Sequence, residues 1–141
     1  MMSTWFYGFL STVGLSILFN IRRKHIILAA IGGGFAALIH QQLLLSYENG
    51  LLAAFIASLV VSIYSEILAS IQKAPSTTYV IPGVLPLVPG AGMYYTMLYL
   101  SEGNLSQAAG FGYQTVFAAL AIACGIIVAP SIRRLYRQLK A

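Results

Sequence analysis

Apolar runs of near-bilayer length alternate along this chain with short polar or basic stretches. The first run, from about Ser3 to Asn20, is short and stops at the basic triplet Arg22-Arg23-Lys24. The second extends from about His25 to Leu45 and ends at the turn signal Tyr47-Glu48-Asn49-Gly50. The third covers Leu51 to about Ile71 and gives way to a polar connection, Gln72 to Thr78. The fourth occupies Tyr79 to Leu100, before the polar loop Ser101-Glu102-Gly103-Asn104. The fifth runs from about Leu105 to Ala129, with Pro130 marking its end and a basic tail from Ile132 to Lys140. A helix needs ~20 apolar residues to cross a bilayer core. The pattern therefore predicts a single all-α integral membrane domain over residues 1–141, with about five transmembrane helices at 3–20, 25–45, 51–71, 79–100 and 105–129.

The fourth run departs from a plain span. Pro82, Gly83, Pro86, Pro89 and Gly90 crowd its first half. Each proline in a helix interior deletes a backbone hydrogen bond and clashes with the preceding turn, at ~3 kcal/mol. The segment is predicted to break. In hydrocarbon the freed backbone groups must be buried in protein or line a polar cavity, as in the discontinuous helices of secondary transporters.

Composition supports the membrane reading. Residues are 59% hydrophobic and 8% charged, against ~25% charged in a soluble domain. The expected partner is the lipid bilayer, and the first run lacks the basic leader and cleavage site of a signal peptide. A net charge of +5 in a soluble chain would suggest nucleic acid. Here no nucleic-acid partner is expected, because the basic residues flank the spans, where they set topology and meet lipid phosphates. With five spans, all eight lysines and arginines fall on one side, and Glu48 and Glu102 on the other. The positive-inside rule then places the N-terminus out and the C-terminus in, for a multi-pass membrane protein.

Few residues can carry chemistry. With one cysteine, two histidines and three acidic residues, the chain has no disulfide or metal framework. Hydrolase, metalloprotease and phosphate-binding motifs are missing, so neither an enzyme nor a cofactor is expected. In the second run Gly33, Ala36, Ala37 and His40 share one helical face, a close-packing seam that ends in a histidine. His40 is either a protonatable group in a permeation path or an interfacial histidine bonded to a neighbour. In the third run Ala54, Ser58, Ser62, Glu66 and Ser70 recur every four residues and can line a bundle interior or cavity. Glu66, the only acidic residue inside a span, is either a proton or cation site, or a residue that snorkels to the interface or pairs with Lys73. If the fourth run unwinds, a half-helix beginning near Gly90 offers a positive N-terminus to an anionic group, with Tyr94 and Tyr95 one turn on. Asn20 and Gln114 are weaker candidates, since a lone amide commonly caps a helix or bonds a neighbouring one.

The short first span closing on Phe19-Asn20, the glycine-bearing second span, and above all Leu85-Pro-Leu-Val-Pro-Gly90 followed by Tyr94 resemble the threonine/serine exporter family. The likeness is to its small, separately encoded membrane component. The resemblance implies export of threonine, serine or dicarboxylates such as succinate, together with a larger partner subunit. It carries Asn20, Pro86, Pro89, Gly90 and Tyr94 over as motif positions. An odd number of spans fits the same picture, because a homologous half would lie inverted beside this one, with the site between halves. The expected function is a half-subunit of a secondary transporter, proton-coupled, for a small amino or carboxylic acid. Substrate-binding residues would be Pro82, Gly83, Pro86, Pro89, Gly90, Tyr94 and Asn20, and coupling residues Glu66 and His40. It would pair with a larger homologous membrane subunit or with itself. A non-transporting scaffold subunit and a channel-forming oligomer are the alternatives.

Overall fold

Backbone groups in an apolar segment have mainly each other to bond, so the apolar runs fold as helices. The computed structural model describes residues 2–47 and 49–140, without the side chains of Arg134, Tyr136, Arg137, Leu139 and Lys140. Glu48 and the charged ends of Arg134, Arg137 and Lys140, which entered the topology argument, thus lie outside the described residues. The helices are α1 (Met2–Leu18), α2 (Arg23–Tyr47), α3 (Gly50–Gln72), α4 (Thr77–Val84), α5 (Gly90–Ser101) and α6 (Leu105–Lys140). A 3-10 turn, Leu85–Leu87, joins α4 to α5, and no strand occurs among the described residues. Helices α2, α3 and the Leu105–Arg133 part of α6 are long and apolar enough to cross a bilayer. Helix α1 and the segment Thr77–Leu87 are apolar but shorter.

Local chemistry ends the helices. Asn20 and Lys73 adopt left-handed backbone conformations, φ 53° and 49°. The following amides, Ile21 and Ala74, donate back to the carbonyls of Ser16 and Ala69 at 3.0 and 3.1 Å, closing α1 and α3 with a Schellman pattern. Asn49 starts α3, its Oδ1 accepting from the Leu51 and Leu52 amides at 3.1 and 3.3 Å.

The packing is inverted relative to a soluble bundle. Small and hydroxylated residues fill the interior, including Ala30, Ala36, Ala57, Thr12, Ser16 and Ser58. Large apolar side chains such as Phe6, Leu10, Ile17, Phe35, Ile67 and Ile127 face outward. This is the expected arrangement where lipid solvates the outside and close backbone approach holds helices together. Helix α2 is central, packing on α1, α3 and α4, while α3 also packs on α6. Interior hydroxyls bond helix carbonyls: Thr12 to Gly8, Ser16 to Thr12 and Ser58 to Phe55, at 2.7–2.9 Å. A small apolar core of Ala54, Ala57, Val61, Val84, Leu87 and Ile122 occupies the middle.

Two expectations change. Pro130 does not end the last helix, because α6 continues through it to Lys140. Proline has no amide to donate to Ile126, but the Ser62 hydroxyl of α3 donates to that carbonyl at 3.1 Å. The bond lost inside the helix is replaced across the interface. The break in the fourth run is also narrower than Pro82–Gly90. Pro82 and Gly83 remain helical within α4, and departure from helical geometry is confined to Leu85–Pro89.

Candidate functional site

The break is where backbone polarity meets open space. Val88 is extended, φ −60° and ψ 130°, and Pro89 follows at φ −76° and ψ 61°, so the chain leaves the helix and re-enters it at Gly90. The Val88 amide still donates to Leu85 at 3.1 Å and the Gly90 amide to Val88 at 2.7 Å. The first amides of a helix have no partner within it, so this N-terminus carries partial positive charge.

That N-terminus borders a cavity of about 590 Å³. Its walls are the break itself (Pro86 to Gly92), His40 of α2, Leu51 and Ala54 of α3, and Gln114 and Thr115 of α6. His40 is half-buried. Thr115 bonds its own helix, Oγ1 to the Phe111 carbonyl at 2.7 Å. A side chain at Gly92 would collide with Thr115, and one at Gly112 would reach Thr96 at 3.3 Å. These reciprocal glycine–threonine contacts bring α5 onto α6 and hold the N-terminus of α5 at the cavity.

At the other end of the bundle lies a second cleft, about 410 Å³, between α3, α4 and α6. Arg133 of α6 stands in it with Glu66 of α3. Arg133 Nη1 donates to Glu66 Oε2 and, at 3.2 Å, to the Glu66 carbonyl, while Nη2 donates to Ser70 Oγ. Nearby, the buried Tyr79 hydroxyl and His25 Nδ1 share a hydrogen bond of 2.6 Å, pinning the start of α4 to the start of α2.

The structure thus sorts the sequence candidates. Pro86, Pro89, Gly90, His40 and Gln114 come together around the larger cavity. Pro82 and Gly83 are buried in packing instead, where a side chain on Gly83 would meet Val61 at 3.0 Å. Tyr94 is exposed on α5 with its ring edge-on to Tyr95. Asn20 caps α1, as the plain reading of a lone amide held, about 25 Å from His40 by helical rise along α2. Glu66 pairs with Arg133 of α6. Sequence reasoning passed over Thr115, Arg133 and the His25–Tyr79 pair. Thr115 had a signal, since Gly92 and Thr96 on α5 mirror Gly112 and Thr115 on α6 as small residues at helical spacing.

A family model described as threonine/serine exporter, ThrE, matches residues 4–132. No curated protein and no solved structure matches the chain. The matched stretch takes in α1 from Thr4, α2 to α5, and α6 as far as Ile132, and so contains the whole cavity at the break. Outward-facing apolar helices and this match agree on a membrane protein of the transport class. The chain belongs to the threonine/serine exporter family.

Proposed function

We propose that this chain is one half of a secondary transporter that exports threonine, serine or a small dicarboxylate such as succinate by proton antiport. The observation that carries the reading is the cavity at the break. Its volume of about 590 Å³ falls in the ~300–1,000 Å³ range of small-molecule sites. It combines a helix N-terminus for a carboxylate, the amide of Gln114 and hydroxyl of Thr115 for polar groups, and one titratable side chain, His40. Protons would couple through His40, with Glu66 as a second candidate in the cleft at the other end.

In this reading the chain crosses the bacterial inner membrane five times, N-terminus out and C-terminus in, with α4, the turn and α5 forming the fourth crossing. The basic end of the bundle is then cytoplasmic. Helix α5 has no buried residue and leans on α6, leaving its far side for a larger homologous subunit or a second copy. Labelling of a cysteine at position 104 from the cytoplasm alone would overturn the orientation. Function is tested by co-expression with a larger membrane protein of the same family as the candidate partner, followed by efflux of preloaded labelled threonine, serine and succinate. Efflux that needs both chains and collapses with a protonophore supports the proposal. Efflux by the partner alone makes this chain a scaffold, and passive flux without a proton gradient makes it a channel.

A further inference from the structure

The cleft at the basic end has chemistry that the cavity at the break lacks. Its lining includes Ser62, Glu66, Ser76, Thr77, Pro130 and Arg133. Glu66, Ser76 and Arg133 also border a neighbouring recess of about 470 Å³ that reaches Lys73. The side chains of Arg133 and Glu66 are 29% and 15% exposed, and both line the cleft. A guanidinium carries five N–H donors in a planar fork, more than the contacts to Glu66 and Ser70 consume. Ser76 occupies the cap position of α4, yet its hydroxyl makes no capping bond.

A cation and an anion at contact distance, both lining a cleft, complement a ligand that carries the same two charges a few ångströms apart. We propose that this cleft is an inner-side receiving site for an α-amino carboxylate, Arg133 taking the carboxylate and Glu66 the ammonium. The site rests on the exporter reading, which makes the basic end cytoplasmic. It lies apart from the cavity at the break, separated from it by the apolar core around Val61, Val84 and Ile122. A dicarboxylate would bring its second anion against Glu66, so the cleft favours threonine or serine over succinate. The headgroup of phosphatidylethanolamine offers a phosphate and an ammonium in similar array, and the test separates the two.

Thr77 is exposed at the mouth of the cleft, and Cys124 is the one native cysteine. Thr77→Cys in a Cys124→Ser background, co-expressed with the larger subunit and placed in phosphatidylglycerol nanodiscs, is labelled with a water-soluble maleimide. Threonine is expected to slow labelling at least severalfold. Succinate, 3-hydroxybutyrate (no ammonium) and 1-amino-2-propanol (no carboxylate) are expected to leave the rate within twofold. Glu66→Gln should abolish protection while labelling itself persists. Arg133→Lys keeps the charge but loses the fork, and should weaken protection. Equal protection by succinate and threonine removes the role given to Glu66 and overturns the site. Protection by added phosphatidylethanolamine in place of threonine assigns the cleft to lipid and overturns it as well. Threonine efflux without protection sinks this site and leaves the transporter reading intact. Protection without any efflux supports the site and counts against that reading.

Discussion

Ser62 offers a direct test of how α6 tolerates Pro130. Proline leaves the Ile126 carbonyl without its amide partner four residues on, and Ser62 Oγ donates to that carbonyl at 3.1 Å. Ser62 is 1% exposed, its hydroxyl packed against the Ile126 carbonyl. Interhelical hydrogen bonds in membranes average ~0.6 kcal/mol and reach ~1.7 kcal/mol, because the separated helices also find partners. This carbonyl has lost its helical donor, which places Ser62→Ala toward the upper part of that range, at about 1–1.5 kcal/mol. In a Pro130→Ala background the new amide bonds Ile126 directly, and Ser62→Ala should then cost under about 0.5 kcal/mol, a coupling near 1 kcal/mol. Reversible unfolding in mixed dodecylmaltoside–SDS micelles, followed by far-UV circular dichroism, gives all four corners of the cycle. An equal cost for Ser62→Ala in both backgrounds would refute the substitution of one donor for the other.

Gly125→Ala should destabilise by about 1–3 kcal/mol, the range for overpacking, in the same unfolding assay. The new methyl would meet Ser58 and lie 2.8 Å from the Phe55 carbonyl, so adding Ser58→Ala should recover only part of the loss. Tyr79→Phe leaves buried His25 Nδ1 without its partner and should cost about 1–3 kcal/mol, whereas replacement of exposed Tyr94 by Phe should shift stability by less than about 0.5 kcal/mol. Asn20→Val forces a β-branched residue to φ 53° and should cost at least about 1–2 kcal/mol, while Asn20→Gly stays near neutral. Pro89→Ala should lower efflux about tenfold or more, ~1.4 kcal/mol in the barrier, with the complex still co-purifying; loss of the complex with this variant would favour a scaffold role.

Much of the helix layout was legible because hydrocarbon leaves the backbone few choices. Apolar runs bounded by Arg22–Lys24, Asn49-Gly50 and Ser101–Asn104 correspond to helix ends within a few residues. The break was legible for the same reason, although its extent was not. Three prolines in eight residues forbid a continuous helix, yet they do not say which proline yields. Pro82 sits two residues before the last residue of α4 and forfeits one bond, whereas Pro86 and Pro89 together leave too little helix between them to hold. The gathering of His40 with Pro86, Pro89, Gly90 and Gln114 depended on which helices pair, and a single sequence carries little of that.

Arg133 and the seam of α3 show what a sequence hides. Ser58, Ser62, Glu66 and Ser70 were visible as one helical face, and Pro130 was visible as a stop. Each was read alone, so the partners weighed for Glu66 came from its own stretch of chain and Arg133 was not among them. In the fold, α3 and α6 run parallel, and features on the two helices meet in step: Ser58 with Gly125, Ser62 with the Ile126 carbonyl, Glu66 and Ser70 with Arg133. The seam of α3 is therefore what allows α6 to pass through Pro130 as a helix, and that continuation carries Arg133 to Glu66. A parallel pair needs a crossing between its members, and α4, the turn and α5 supply it. The break thus lies in the connection that sets the register of the polar cleft at the opposite end.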